Sequence, residues 1–259
     1  MNVESILKSC DLGDFYNIIT YDCVNSTNDT LKEMAHNGAA EGTVVIANEQ
    51  SNGKGRRGKS FASPPGTGLY FSFLVRPSIP AKKSVLITPA IAVCVSKTIE
   101  DVSGKCAMIK WVNDIYIENK KVCGILTESS FSSENLDYAV IGIGINIAKS
   151  ELYFPKDVRS VAGCILNDDE NAEKKKKKAQ LVSGILKKFF DIYKDIEQET
   201  FLDEYRQRSL ILGKMVCVNK GNDVIRGVAQ EIDNDVRLKV KLENGSLMLF
   251  NSGEVSIKF

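Results

Sequence analysis

Eight consecutive residues, Gly53-Lys54-Gly55-Arg56-Arg57-Gly58-Lys59-Ser60, set three glycines among four cations. Glycines let backbone N–H groups turn toward a ligand, and lysine and arginine bring positive charge to the same point. Such a loop suits an anion, and a phosphate above all. Gly53, Gly58, Lys59 and Ser60 also spell the P-loop pattern G-x-x-x-x-G-K-[ST]. That pattern works only when a helix starts at the Lys-Ser pair, because the helix N-terminus binds the phosphates. Here Pro64, Pro65 and Gly66 follow almost at once, and a long helix is incompatible with them. No apolar strand ending in an aspartate stands ready for Mg²⁺. The loop is expected instead to be a flap between strands at 44–47 and 69–75, able to fold over an anion. Its bland counterpart is a basic surface hairpin.

The rest of the composition removes other chemistries. His36 is the single histidine, at the end of an expected helix over 27–36 and beside the stop signal Asn37-Gly38. Ser-His-Asp and Cys-His hydrolysis and the H-E-x-x-H zinc site are therefore excluded. Lys, Arg, Asp, Glu, Asn and backbone groups must carry any reaction. The seven cysteines, Cys10, Cys23, Cys94, Cys106, Cys123, Cys164 and Cys217, are scattered with no C-x-x-C. Reduced thiols in a cytoplasmic protein are expected, with no disulfide framework and no protein-held metal. The net charge of +1 gives no strong pull on nucleic acid or an anionic membrane. Residues 1–11 lack the pattern of a signal peptide. The longest apolar stretch, 85–95, is broken by Thr88 and Pro89 and is too short to span a bilayer.

The elements that position the loop follow from periodicity. A strand is expected over 17–22, then the helix from Thr27 with Ser26 as N-cap. Strands follow at 42–47 and 68–75, and a helix over 84–101 with Pro89 in an early turn and Thr88 as an alternative cap. Four β-branched-rich runs, 107–111, 115–118, 122–131 and 136–147, read as a meander of strands. From Val158 the character changes. Asn167, Asp168, Asp169 and Glu170 precede the run Lys174–Lys178, the right order for a helix start. Leu181, Ile185, Phe189, Tyr193 and Ile196 then keep helical spacing. The lysine run reads as a solvated helical face; an RNA or membrane patch would want interleaved aromatics. A helix over 199–210 closes this part. Residues 214–259 hold about five short strands, a small β-barrel. The fold class is α+β: a mixed sheet with helices at 1–211, and a barrel at 212–259.

Five segments in order carry a resemblance. They are Ser26-Thr27-Asn28, the run from Gln50 to Gly58, Lys110-Trp111-Val112-Asn113-Asp114, Lys121-Val122-Cys123-Gly124-Ile125-Leu126 and Gly142-Ile143-Gly144-Ile145-Asn146. Together, over about residues 20–150, the chain resembles the biotin protein ligases. The resemblance implies a class-II-synthetase-like domain with an SH3-like C-terminal barrel. It implies a reaction in which biotin and ATP give biotinyl-5′-AMP and pyrophosphate. A lysine of a biotin carrier domain, by default that of acetyl-CoA carboxylase, then takes the biotin and releases AMP. It makes Arg56 and Lys121 the catalytic cations. It puts Ser26, Thr27, Asn28, Gln50, Gly53, Lys54, Gly55, Gly124 and Gly142 with them on the biotin side. Arg57, Lys59, Phe61, Asn113, Asp114 and Asn146 go with the nucleotide, together with the same Arg56 and Lys121. Asn113 and Asp114 either orient Mg²⁺–ATP or brace the loop; Trp111 is read as core. Mg²⁺ would arrive on the ATP phosphates.

Both steps suit a chain with one histidine, because a carboxylate is already ionised at neutral pH. Three positions depart from the family's pattern: Lys54 for Arg, Val112 for Pro and Phe61 for Trp. Only about 20 residues precede the first expected strand, too few for the DNA-binding domain some members carry, so no DNA binding is expected. Homodimerisation through a sheet edge within 107–117 is open. The alternatives are a lipoate or octanoate ligase of the same superfamily, or a biotin or nucleotide sensor without catalysis.

Overall fold

The computed structural model describes residues 13–148, 161–166, 171–220, 223–251 and 253–257. The N-terminal stretch 1–11, Val158 and the acidic run Asn167–Glu170 lie outside them.

The chain builds two sheets. β1 (Asn17–Val24) leads through α1 (Thr27–His36) into β2 (Thr43–Gln50), and the two strands pair in parallel. β3 (Gly68–Val75), β4 (Met108–Lys110), β5 (Asp114–Ile117), β6 (Lys120–Ser132) and β7 (Asn135–Asn146) complete a seven-stranded mixed sheet in the order β1-β2-β3-β7-β6-β5-β4. Every residue of β3 is buried. A strand at the centre of a sheet covered on both faces reads as a continuous apolar run, as its sequence does. α2 (Ile87–Ser103) and α3 (Asn171–Tyr193) pack together on one face, where Ile91, Val95, Val182, Ile185 and Phe189 join the main core. α1 covers the other face, with Leu31 and Ala35 against Val45, Leu74 and Val140. After the short α4 (Leu202–Gln207), β8 (Met215–Lys220), β9 (Asp223–Ile232), β10 (Leu238–Leu242), β11 (Leu247–Phe250) and β12 (Glu254–Ile257) form an antiparallel sheet ordered β11-β10-β9-β8-β12. Among the described residues no helix is long and apolar enough to cross a membrane.

Several expectations shift. A 3₁₀ turn, Ala81–Leu86, precedes α2, and Leu86 rather than Thr88 occupies the cap. Pro89 falls in the first turn, where its missing N–H costs nothing. The expected 199–210 helix shrinks to α4, because residues 208–210 leave it to pair with β4. Ile109 N donates to Arg208 O at 2.7 Å and Leu210 N to Ile109 O at 2.8 Å. That pairing occupies the outer edge of β4, and β5 lies inside the sheet. The lysine run is a solvated face only in part. Lys175 and Lys176 are exposed, whereas burial, with Lys174 and Lys175 nearby, pulls the Lys178 ammonium down to about 8.

Candidate functional site

Between the 50–62 hairpin, the concave face of the large sheet and the edge of the C-terminal sheet lies a cavity of about 680 Å³. It falls in the size range of small-molecule sites. Its two ends differ in chemistry.

The first end is neutral. Ser26, Thr27, Asn28 and Ser72 are all buried, at the start of α1 and in β3. Ser26 holds the N-cap position of α1, but its side chain makes no capping bond and lines the cavity. Gln50 Oε1 accepts from Thr27 N (2.9 Å) and Thr27 Oγ1 (3.1 Å), while Gln50 Nε2 donates to Ser63 Oγ at 2.8 Å. Ser72 Oγ lies 2.7 Å from Thr27 Oγ1 and 2.6 Å from Asn28 Oδ1. Asn28 Nδ2 donates to Leu126 O at 3.2 Å and Glu128 Oε2 at 2.8 Å. Buried hydroxyls and amides must be paired, and these pair with one another. Outside this network, Lys54 Nζ sits 2.6 Å from Asp29 Oδ2 in the first turn of α1, and Lys32 bridges Asp29 (3.0 Å) to Glu128 (2.7 Å).

The second end is charged. The loop after β2 is a closed hairpin, not a strand-to-helix turn. Gly55 N donates to Lys59 O (2.7 Å), Phe61 N to Gly53 O (2.8 Å), and Lys54 bridges to Ser60. The lone 3₁₀ turn, Arg56–Gly58, has Arg57 in the left-handed region at φ 57°. The P-loop spelling is accidental, as the prolines imply. Arg56 donates to Asn113 Oδ1 at 3.1 Å, and Asn113 Nδ2 is fixed to Ile125 O at 2.7 Å. Lys121, in β6, pairs with Asp114 Oδ1 at 2.7 Å. Two adjacent residues of one turn thereby hold the two expected catalytic cations. Burial lowers the Arg56 pKa and the nearby Asp114 carboxylate opposes that loss; a guanidinium stays charged regardless. Asn146 Nδ2 donates to Gly163 O (3.0 Å) and Lys121 O (3.4 Å), tying the 161–166 segment beside Lys121. Burial pushes the Cys123 thiol far up, so it is no nucleophile here.

Most of the expected site residues line this cavity: Ser26, Thr27, Asn28, Gln50, Lys54, Gly55, Arg56, Arg57, Lys59, Phe61, Asn113, Asp114, Lys121, Gly124, Gly142 and Asn146. Gly53 does not. A Cβ on it would meet Phe61 O at 2.3 Å and Ser63 Oγ at 2.7 Å, so its small size serves the base of the hairpin. The sheet glycines also make room for the protein's own side chains. A Cβ on Gly142 would come within 2.1 Å of Asn28 Oδ1. One on Gly144 would come within 2.5 Å of the Phe61 ring, and one on Gly124 within 3.2 Å of it. Ser72, Gly144, Glu128 and Tyr205 were not among the expected residues. Ser72 left a signal, a lone hydroxyl in the apolar run Leu-Tyr-Phe-Ser-Phe-Leu-Val. Glu128 and Tyr205 left none, because each reaches the site across the fold.

A larger groove, about 1050 Å³, lies elsewhere, among Phe15, Tyr16, Phe190 and Tyr193. Two of its polar side chains are spent internally: Arg76 on the carbonyls of Ala35 and Ala39, Tyr193 on Glu41. The chemistry belongs to the smaller cavity.

Known proteins resemble this chain over most of its length. Residues 20–146 match the biotin/lipoate A/B protein ligase family, and residues 211–258 match the biotin protein ligase C terminal domain. The bifunctional ligase/repressor BirA of Bacillus subtilis is 32% identical over 238 residues, which are 91% of this chain and 72% of the relative. A biotin–[acetyl-CoA-carboxylase] ligase of Mycobacterium tuberculosis is 28% identical over 246 residues, 89% of this chain and 85% of that one. Among solved structures, a biotin protein ligase from Aquifex aeolicus in complex with biotin and ATP superposes with a TM-score of 0.74 at 27% identity, covering 93% of this chain and 98% of the other.

Proposed function

Because this chain belongs to the biotin/lipoate A/B protein ligase family, we propose that it is an ATP-dependent biotin–protein ligase. The observation that carries this reading is the pairing of a buried neutral network with two cations mounted on one turn, across a single cavity. Biotin is a largely apolar ligand with a ureido head that both donates and accepts hydrogen bonds. Ser26, Thr27, Asn28 and Gln50 offer polar groups to such a head in a dry place, and Ser72 fixes Thr27 and Asn28. A linear lipoyl or octanoyl chain has no use for them.

In the first step a carboxylate oxygen of biotin attacks the α-phosphorus of ATP. The new C(=O)–O–P link forms as the bond to the β-phosphate oxygen breaks, and pyrophosphate leaves. Two anions must meet, and charge grows on the α-phosphate oxygens. Arg56 and Lys121 offset that repulsion, the first as a planar fork and the second as a point charge. Their amide and carboxylate anchors hold them in place before substrates arrive. Arg57 and Lys59 reach the outer phosphates, which bring their own Mg²⁺. Phe61 covers the junction, and Asn146 contacts the nucleotide. In the second step a carrier lysine amine attacks the acyl carbon, AMP departs, and an amide remains. No histidine base is required.

The chemistry resides in residues 1–211, with 212–259 as the barrel. The acceptor is a biotin carrier domain of a carboxylase, that of acetyl-CoA carboxylase in the finer reading. The test is transfer. A purified carrier domain, incubated with the protein, ATP and biotin, gains the mass of one biotinyl group at its target lysine. Modification with lipoate or octanoate and none with biotin would replace this function with that of the sister ligases.

A further inference from the structure

The turn that mounts both cations, Trp111 to Asp114, bridges β4 and β5 and needs support of its own. Two hydrogen bonds from outside the large sheet provide it. Tyr205 of α4, fully buried, donates its hydroxyl to Val112 O at 2.9 Å. The Trp111 indole N–H donates to Val236 O at 2.9 Å, in the turn between β9 and β10 of the C-terminal sheet. That turn is itself locked. Asp233 accepts from Arg237 N at 2.9 Å and Arg237 Nε at 2.7 Å, and Val236 takes a left-handed φ of 61°. Arg206, the neighbour of Tyr205, donates to Ile232 O at 2.8 Å and to Asn234 Oδ1 at 2.6 Å. α4 therefore grips the cation mount with one residue and the C-terminal sheet with the next.

A phenylalanine would fill the volume of Tyr205 without burying a hydroxyl, and burying a hydroxyl is costly unless it is bonded. Its one hydrogen bond fixes the backbone next to Asn113, the residue that aims Arg56. Resting on the ligase reading, we propose that Tyr205 and Trp111 are positioning residues for adenylation. They act through Asn113 on Arg56, and the C-terminal sheet is thereby part of the adenylating machinery. Preorganised charge is sensitive to displacement, so a loosened mount lowers the rate of the chemical step more than the affinity for biotin.

The experiment is biotin-dependent exchange of pyrophosphate into ATP with Tyr205→Phe, Trp111→Phe and Asn113→Ala, singly and as the two pairs containing Asn113→Ala. Tyr205→Phe and Trp111→Phe should each lower kcat about three- to tenfold, the worth of one hydrogen bond, with KM for biotin unchanged. In the Asn113→Ala background each loss should shrink to the part carried through Asp114 to Lys121, because the path to Arg56 is already cut. Losses of equal size in both backgrounds, or lower melting temperatures with unchanged kcat, would make both residues merely structural and overturn the proposal. A wild-type protein with no biotin-dependent exchange would sink the ligase reading and this inference with it. An active wild type with unaffected variants would sink the inference alone.

Discussion

The two ends of the cavity solve one problem in opposite ways. At the neutral end, Thr27, Gln50 and Ser72 are held by uncharged partners, and only Asn28 reaches a charge, donating to the Glu128 carboxylate. At the other end Arg56 and Lys121 cannot satisfy each other, and each takes a separate partner on the Trp111–Asp114 turn. A buried hydroxyl or amide asks only for a hydrogen bond, whereas a partly buried cation also asks for compensating charge or dipole. The neutral end is thus suited to recognition by shape and hydrogen bonding. The charged end is suited to stabilising charge that appears during reaction, and its accuracy depends on how firmly the mount is held.

Substitutions at the two ends should separate in kind. The largest effect belongs to Lys121→Ala. Removing one preorganised cation from the α-phosphate should lower biotin-dependent pyrophosphate exchange by about 10²–10³-fold. The circular-dichroism spectrum should not change, since Lys121 is a partly exposed side chain on β6. An unchanged rate would remove it from catalysis. Gly142→Ala comes next and strikes the neutral end. Its Cβ would stand 2.1 Å from Asn28 Oδ1, forcing that amide away from Ser72. Overpacking of this kind should weaken biotin binding roughly tenfold, read by titration calorimetry, with kcat little altered. A fall in kcat at unchanged affinity would erase the division between the ends.

The smallest effect is one of pH. Burial alone would raise the Asp29 pKa, but hydrogen bonds from Lys54 and Lys32 outweigh it and hold the carboxyl below its ordinary value. A depressed folded pKa gives stabilisation that is complete above the unfolded value, about 4, and lost as pH falls through the folded one. The Lys54–Asp29 link between hairpin and α1 should therefore weaken as pH falls below about 4. Corrected hydrogen-exchange protection of the Gly55 and Phe61 amides should drop about two- to fourfold over that range, and Asp29→Asn should abolish the change. Equal loss of protection in Asp29→Asn would assign the effect elsewhere.

The sequence disclosed the parts of the site that lie together along the chain. The hairpin could be read from local composition and the failed P-loop from Pro64 and Pro65 alone, whereas the Lys110–Asp114 segment and the glycine-punctuated β7 stood out only through the family resemblance. The meander and the C-terminal strands were legible from alternation and turn residues. What stayed hidden depends on distance across the fold. Nothing local to Tyr205 says that its hydroxyl meets Val112 O, and nothing near Gly144 says that Phe61 folds onto it. Asn113 and Asp114 looked equally fit to meet a nucleotide or to brace the loop. Only the folded structure places Asn113 against Arg56 and Asp114 against Lys121. The pairing of β4 with Ser209 could not be read locally, because that residue lies far along the chain.

The most direct test of the assignment uses the first half-reaction alone. Labelled pyrophosphate and ATP are incubated with the protein and, in parallel, with biotin, lipoate or octanoate. The cavity described here predicts label entering ATP with biotin and with neither of the other acids. Exchange supported by lipoate or octanoate but not biotin, or by none of the three, would contradict it.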